Sequence, residues 1–181
     1  LPNDPRGSLS TELRCLKLMR VGQIHYGRRD DQPPVDELKA FYAEAAPLLR
    51  HPILWFDLSQ REAIAEAFSD VVREMGYTCW ACAIMSNHAH LLIRRHRDRA
   101  EAMIGRFRHA SAEALRRDRT ELERHPIWSD DSFKRFVDSA GDVQTVIQYI
   151  RENPIKSGLP PQRWGFVKEY AGEWSGVRRF W

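Results

Sequence analysis

The chain has 181 residues, of which 43% are hydrophobic and 29% charged. That is a globular composition with length enough to bury a core, and no apolar run approaches the roughly 18 residues needed to span a bilayer, so no membrane partner is expected. A formal charge of +3 and a pI near 8.9 are mildly basic and permit a nucleic-acid partner without requiring one.

Leu1-Pro2-Asn3-Asp4-Pro5 has neither a basic start nor an apolar stretch, so no signal peptide is predicted and a cytoplasmic location is expected. Residues 1–13 read as a loose leader to a single domain spanning 1–181. Cys15–Val21 and Gln23–Tyr26 are short apolar runs of strand length, and Asp30-Asp31-Gln32-Pro33-Pro34 breaks the chain. From Val35 to Leu49 apolar residues recur at helical spacing, and Pro47 marks the end. Ser59 is the expected N-cap of a helix from Gln60 to Met75, with Glu62 completing a capping box and Gly76 stopping it.

Two strands follow, Tyr77 to Met85 and His88 to Arg94, joined at Ser86-Asn87. Asp98 is placed to cap a long helix running to about Arg119. Ser132 to Val137 has the composition of another strand. Asp142 is placed to cap a last helix, near whose end lies Pro154. Residues 160–181 form an aromatic-rich tail. The order strand, helix, strand, strand, helix, strand, helix predicts an α+β fold with a largely antiparallel sheet. Of three cysteines, Cys79 and Cys82 stand three apart, which on a regular strand puts them on opposite faces; both read as small core residues rather than half of a zinc site.

The chemistry-bearing stretch is Met85-Ser86-Asn87-His88-Ala89-His90-Leu91-Leu92-Ile93. On a strand, His88 and His90 share a face and can offer ring nitrogens to one metal ion. A pair bonded to backbone or water has the same spacing. About sixty residues on, Tyr149 and Asn153 are four apart, on one face of a helix that Val146, Ile147 and Ile150 would dock on the sheet. Asn153 precedes a proline, where the chain should leave helical geometry and free its carbonyl for a metal. A tyrosine hydroxyl beside a metal-bound phosphate is a plausible nucleophile. An unaided phenol titrates near 10 and needs such help at neutral pH. Packing alone also accounts for Tyr149, and helix termination for Asn153-Pro154. Arginines crowd residues 94–119, and their planar forks suit phosphate oxygens; a solvated helix face has the same composition.

Taken together, Met85-Ser86-Asn87-His88-Ala89-His90-Leu91-Leu92 and Tyr149-Ile150-x-x-Asn153-Pro154-x-Lys156-x-Gly158-Leu159 strongly resemble the single-tyrosine HUH transposases, above all the branch associated with repetitive extragenic palindromes. The resemblance covers roughly residues 77–160. It implies a ferredoxin-like (RRM-like) sheet with helices packed on it, and action on single-stranded DNA that forms hairpins. It implies Tyr149 as the nucleophile, leaving a 5′-phosphotyrosine and a free 3′-hydroxyl, and His88, His90 and Asn153 as ligands of Mg²⁺ or Mn²⁺. Arg95, Arg97, Arg99, Arg106 and Lys156 are the expected DNA contacts, with a positive groove and aromatic platforms such as Trp128, Phe133, Trp164 and Trp174 suiting unpaired bases. Two other readings stand beside it: a domesticated hairpin-binding protein without transposition activity, and a metal-dependent hydrolase using water. A homodimer, with the site completed by a second copy, is left open.

Overall fold

An apolar stripe at three- and four-residue spacing builds the first long helix of the computed structural model, α1, Leu58–Met75. The structure describes residues 40, 43–48, 51–117, 119–128, 132 and 134–172. The strands expected over Cys15–Val21 and Gln23–Tyr26, the leader, Phe133 and Trp174 lie outside these residues, as does most of the helix expected over 35–49. What is described there is helical at 40 and 43–45 and runs into a 3-10 turn, Ala46–Leu48.

The cap of α1 is not Ser59. The Asp57 side chain accepts the Gln60 backbone N–H at 2.8 Å, and the Gln60 side chain accepts the Asp57 N–H at 2.8 Å. The capping box therefore starts two residues earlier, because Asp57 already takes the helix donor that Ser59 would have taken. Ser59 instead donates its hydroxyl to Asp57 at 2.8 Å. At the other end Gly76 sits at φ +68, a left-handed conformation open to glycine, and ends the helix as expected. Ile64, Phe68, Val71 and Val72 are buried, and α1 packs on α2, Ala100–Arg116, with the Phe68 and Phe107 rings edge-on at 5.1 Å.

Between these helices lies an antiparallel hairpin of β1, Cys79–Ile84, and β2, Ala89–Ile93. Ala83 opposes His90, Ala81 opposes Leu92, and Cys79 opposes Ile93, with a register shift between Cys79 and Ala81. This bulge at Trp80 changes the facing of the cysteines. Leu91 and Ile93 share one face of β2, and their partners Cys82 and Cys79 share it too. The expected opposite facing is therefore corrected: the extra residue adds a half-period. Both thiols are buried and free, as core residues. Burial pushes the Cys79 thiol up to about 12, and Cys82 well above the ordinary thiol value.

The outer edge of β1 is covered by the C-terminal stretch. Gln162 accepts the Ile84 N–H and donates to the Ile84 carbonyl, both at 2.8 Å, so an amide side chain replaces a strand. Val167 bridges to Cys79, and the Tyr170 ring meets Trp80 at 4.9 Å. The aromatic tail packs on the domain as far as it is described.

Asp98 does not cap α2. Its carboxylate accepts the Tyr77 hydroxyl at 2.8 Å and the Arg106 guanidinium at 2.6 Å, so the N-cap falls to Arg99, without a side-chain bond. The helix ends at Arg116, short of the expected Arg119. The strand expected over Ser132 to Val137 is not formed at the described positions. Lys134, Arg135 and Phe136 are all exposed, so the alternation that would hold a strand on a core is absent. The last helix, α3, is Ala140–Lys156. Ser139 rather than Asp142 caps it: the hydroxyl accepts the Asp142 N–H at 3.1 Å and donates to the Asp142 carboxylate at 2.8 Å.

These elements make an α+β fold with an antiparallel sheet. Contacts group the chain into two compact units, Phe56–Thr120 with Phe133–Trp181, and Leu1–Trp55 with Glu121–Ser132. In the second, Leu122 and Ile127 are buried, and the His125 ring lies 3.0 Å from the carbonyls of both Pro52 and Pro126. Among the described residues no helix is long and apolar enough to cross a membrane.

Asp57→Ala should cost about 1 kcal/mol in urea unfolding at pH 7, and Ser59→Ala less than half of that. The Gln60 N–H and then the Ser59 hydroxyl hold the Asp57 carboxyl below its ordinary 3.8. Its contribution is therefore present above that value and lost as pH falls through the lower folded one, so wild type and Asp57→Ala should converge in acid.

Candidate active site

Small residues bring the candidate groups together. α3 packs against both strands, and Val143, Ile147 and Ile150 join Ala81, Ala83, Met85 and Leu92 in one buried cluster. The alanines of β1 leave room for the helix to approach that face. His90 stands on the same face, opposite Ala83 and two residues from Leu92.

The paired imidazoles converge. His88 Nε2 and His90 Nε2 are 3.1 Å apart, and the rings meet edge-on at 4.8 Å. Asn87 supplies an orientation the sequence reading did not assign it. Its Oδ1 lies 2.8 Å from His88 Nδ1, and a carbonyl oxygen can only accept. Nδ1 of His88 therefore carries the proton, and Nε2 presents a lone pair towards His90. Burial holds the His90 imidazole below the usual histidine value, which favours its neutral form near pH 7.

Tyr149 comes from α3. Its ring centre lies 5.8 Å from that of His90, with the planes at 76°, and the residue is 54% exposed. Imidazole and phenol thus share a half-open surface of one compact unit. Asn153, one turn on, departs from the expectation about its backbone. The helix continues through Pro154 to Lys156, and the Asn153 carbonyl accepts the Ser157 N–H at 3.1 Å instead of turning outward. Its side-chain amide is the notable group: Nδ2 is buried without a hydrogen-bond partner. Among the described residues no three His, Cys, Asp or Glu side chains gather as a metal cluster.

The expected DNA contacts divide. Arg95, Arg97 and Arg99 are exposed. Arg106 is committed internally, donating to Asp98 at 2.6 Å and to the Tyr77 hydroxyl at 2.8 Å. Lys156 pairs with Glu152 at 2.8 Å on the surface of α3. Of the aromatic platforms expected for bases, Trp128 and Trp164 are half-buried. Phe136, 77% exposed, was not among those expected.

A helix phenol thus stands against the imidazoles at the start of β2 in an α+β chain. A family model described as "Transposase IS200 like" matches residues 47–153, and the chain belongs to that family. No curated protein and no solved structure matches it. The matched span is more than half the chain and contains His88, His90, Tyr149 and Asn153. Membership makes DNA the partner and DNA processing the enzymatic role.

In a proton NMR titration of the metal-free protein, His90 should show a midpoint below 6.5. A lowered histidine value in the folded state means stability present above 6.5 and declining as pH falls, so His90→Gln should flatten that decline.

Proposed function

We propose that the chain cuts and rejoins hairpin-forming single-stranded DNA, with Tyr149 as nucleophile and His88, His90 and Asn153 as ligands of Mg²⁺ or Mn²⁺. The observation that carries this reading is the approach of Tyr149 to the imidazole pair, at 5.8 Å between its ring and that of His90.

The donor set fits a divalent cation. Adjacent corners of an octahedron with bonds of about 2.1 Å stand about 3.0 Å apart. The two Nε2 atoms stand at 3.1 Å, with one lone pair set by Asn87. The orphaned Asn153 amide offers an oxygen if turned about its χ2 axis, since its two ends are nearly the same size. His88, His90 and the Asn153 amide oxygen would hold such an ion, and a nitrogen and oxygen set suits Mg²⁺ or Mn²⁺ better than a thiolate-rich one would. When bound, it would polarise the scissile phosphoryl group and offset the charge that builds on it.

The chain's own groups supply the rest. The Tyr149 oxygen forms a bond to phosphorus as the bond from phosphorus to the 3′ oxygen breaks. The phenol proton is released, and the 3′ oxygen leaves as a hydroxyl. The product is a 5′-phosphotyrosine, which conserves the energy of the phosphodiester and lets a 3′-hydroxyl reverse the step without ATP. Partial exposure of Tyr149 gives a strand access to it. Arg95, Arg97, Arg99 and Lys156 serve as phosphate contacts, Lys156 by exchanging Glu152 for DNA. Arg106 acts through Asp98.

Incubation with a single-stranded hairpin oligonucleotide and Mn²⁺ should give a protein–DNA adduct on a denaturing gel. EDTA should abolish it, and Tyr149→Phe should remove it with the fold intact. Cleavage that survives Tyr149→Phe would transfer the role to water and overturn the reading. Asn87→Ala should slow adduct formation by about 10- to 100-fold, the usual cost of losing a group that orients a metal-binding histidine.

A further inference from the structure

At the end of the hairpin remote from the imidazoles lies a cavity of about 230 Å³ lined by Gly76, Thr78, Arg94, Arg95 and His96. We propose that this cavity is a second DNA contact, an anchor for a backbone phosphate of the strand engaged at Tyr149. It builds on the single-strand reading above by adding a place and a distance.

The chemistry of the lining is that of an anion site. Arg94 and Arg95 are exposed, and neither forms an ion pair among the described residues. Arg106, by contrast, is spoken for by Asp98, and Arg73 by Asp70. Thr78 adds a hydroxyl. His96 adds a donor of fixed identity. The Asp98 backbone N–H donates to His96 Nδ1 at 3.2 Å, so the neutral ring keeps its proton on Nε2.

The charge of Asp98, beside His96, is balanced by a partner. Asp98 lies 3.6 Å from His96, but it accepts both the Tyr77 hydroxyl and the Arg106 guanidinium. Those bonds, the Tyr77 one foremost, hold its carboxyl below the usual range, and the Arg106 charge offsets its own, so Arg94 and Arg95 remain as the positive charges of the lining. The same network stiffens the wall, since the Tyr77 ring meets His96 edge-on at 4.8 Å.

The spacing follows from the strand. Ile84 pairs with Ala89 at the imidazole end, and Cys79 pairs with Ile93 at the cavity end. From His88 to Arg95 the chain advances about 23 Å at roughly 3.3 Å per residue. A stacked strand rises about 3.4 Å per nucleotide, so the two contacts are about seven nucleotides apart. A strand must be longer than that to use both at once.

Binding is read by fluorescence anisotropy on the full chain carrying Tyr149→Phe, so that affinity is measured without chemistry. The probes are oligothymidylates of about 5 and about 20 nucleotides, either side of the spacing, and a hairpin of the longer length. Arg94→Ala with Arg95→Ala should weaken the long strand about tenfold or more. It should weaken the short one clearly less than the long one, and make the salt dependence of the long one shallower by about 0.7 in log–log slope, the value for one phosphate contact on a single strand. Arg94→Lys with Arg95→Lys should keep most of that slope, which a merely structural loss would not. A loss confined to the hairpin places the phosphate in the stem; a loss on both long probes places it in the unpaired strand. Equal loss at both lengths, or an unchanged slope, overturns the anchor. An adduct test that fails for Tyr149 leaves this measurement standing, so the two ideas fall separately.

Discussion

The close seating of α3 on the β1–β2 hairpin is the contact on which the candidate site depends. It rests on size. Ala81 and Ala83 present little more than methyl groups to Val143, Ile147 and Ile150, so helix and sheet approach closely. A larger residue at Ala83, directly opposite His90, would push α3 outward and carry Tyr149 with it. The site thus inherits its geometry from a hydrophobic packing problem solved by residues with no chemistry of their own. The polar parts are finishing touches on that frame: Asn87 sets one imidazole, and burial favours the neutral form of the other.

A second polar frame sits at the far end of the same hairpin. Tyr77, Asp98 and Arg106 tie the entry of β1 to the start and second turn of α2. Three sequence positions that look independent form one bonded cluster. It explains why an acidic residue flanked by arginines fails to cap a helix: the stronger charge-assisted bonds claim its carboxylate first. It also takes Arg106 out of the pool of free surface charge.

Much of this was legible in the sequence. The hairpin, the three long helices and their buried faces follow from periodicity, because that signal is repeated over many residues, whereas the grouping of His88, His90 and Tyr149 was implied by the resemblance of two motifs to a family. Single-residue choices were not legible. Ser59, Asp98 and Asp142 each have the right chemistry for a cap. Asp57 and Ser139 took two of the caps because they stood nearer the helix start, and Asp98 was taken by a tertiary bond. Pro154 signalled an end to α3, yet the helix runs two residues past it, with the Ser157 N–H reaching back to the Asn153 carbonyl. The bulge at Trp80 left no signal in an apolar run that reads the same in either register. The His96 cavity escaped because its lining comes from residues that lie apart until the hairpin closes.

The bulge has a bearing on redox behaviour. By turning Cys79 and Cys82 to the same covered face, with both thiols driven far from the thiolate form, it removes them from reach of oxidants and electrophiles. The strand pair that carries the imidazoles is therefore indifferent to whether its surroundings are oxidising or reducing, and alkylating reagents would find these two sulfurs only after the hairpin has opened.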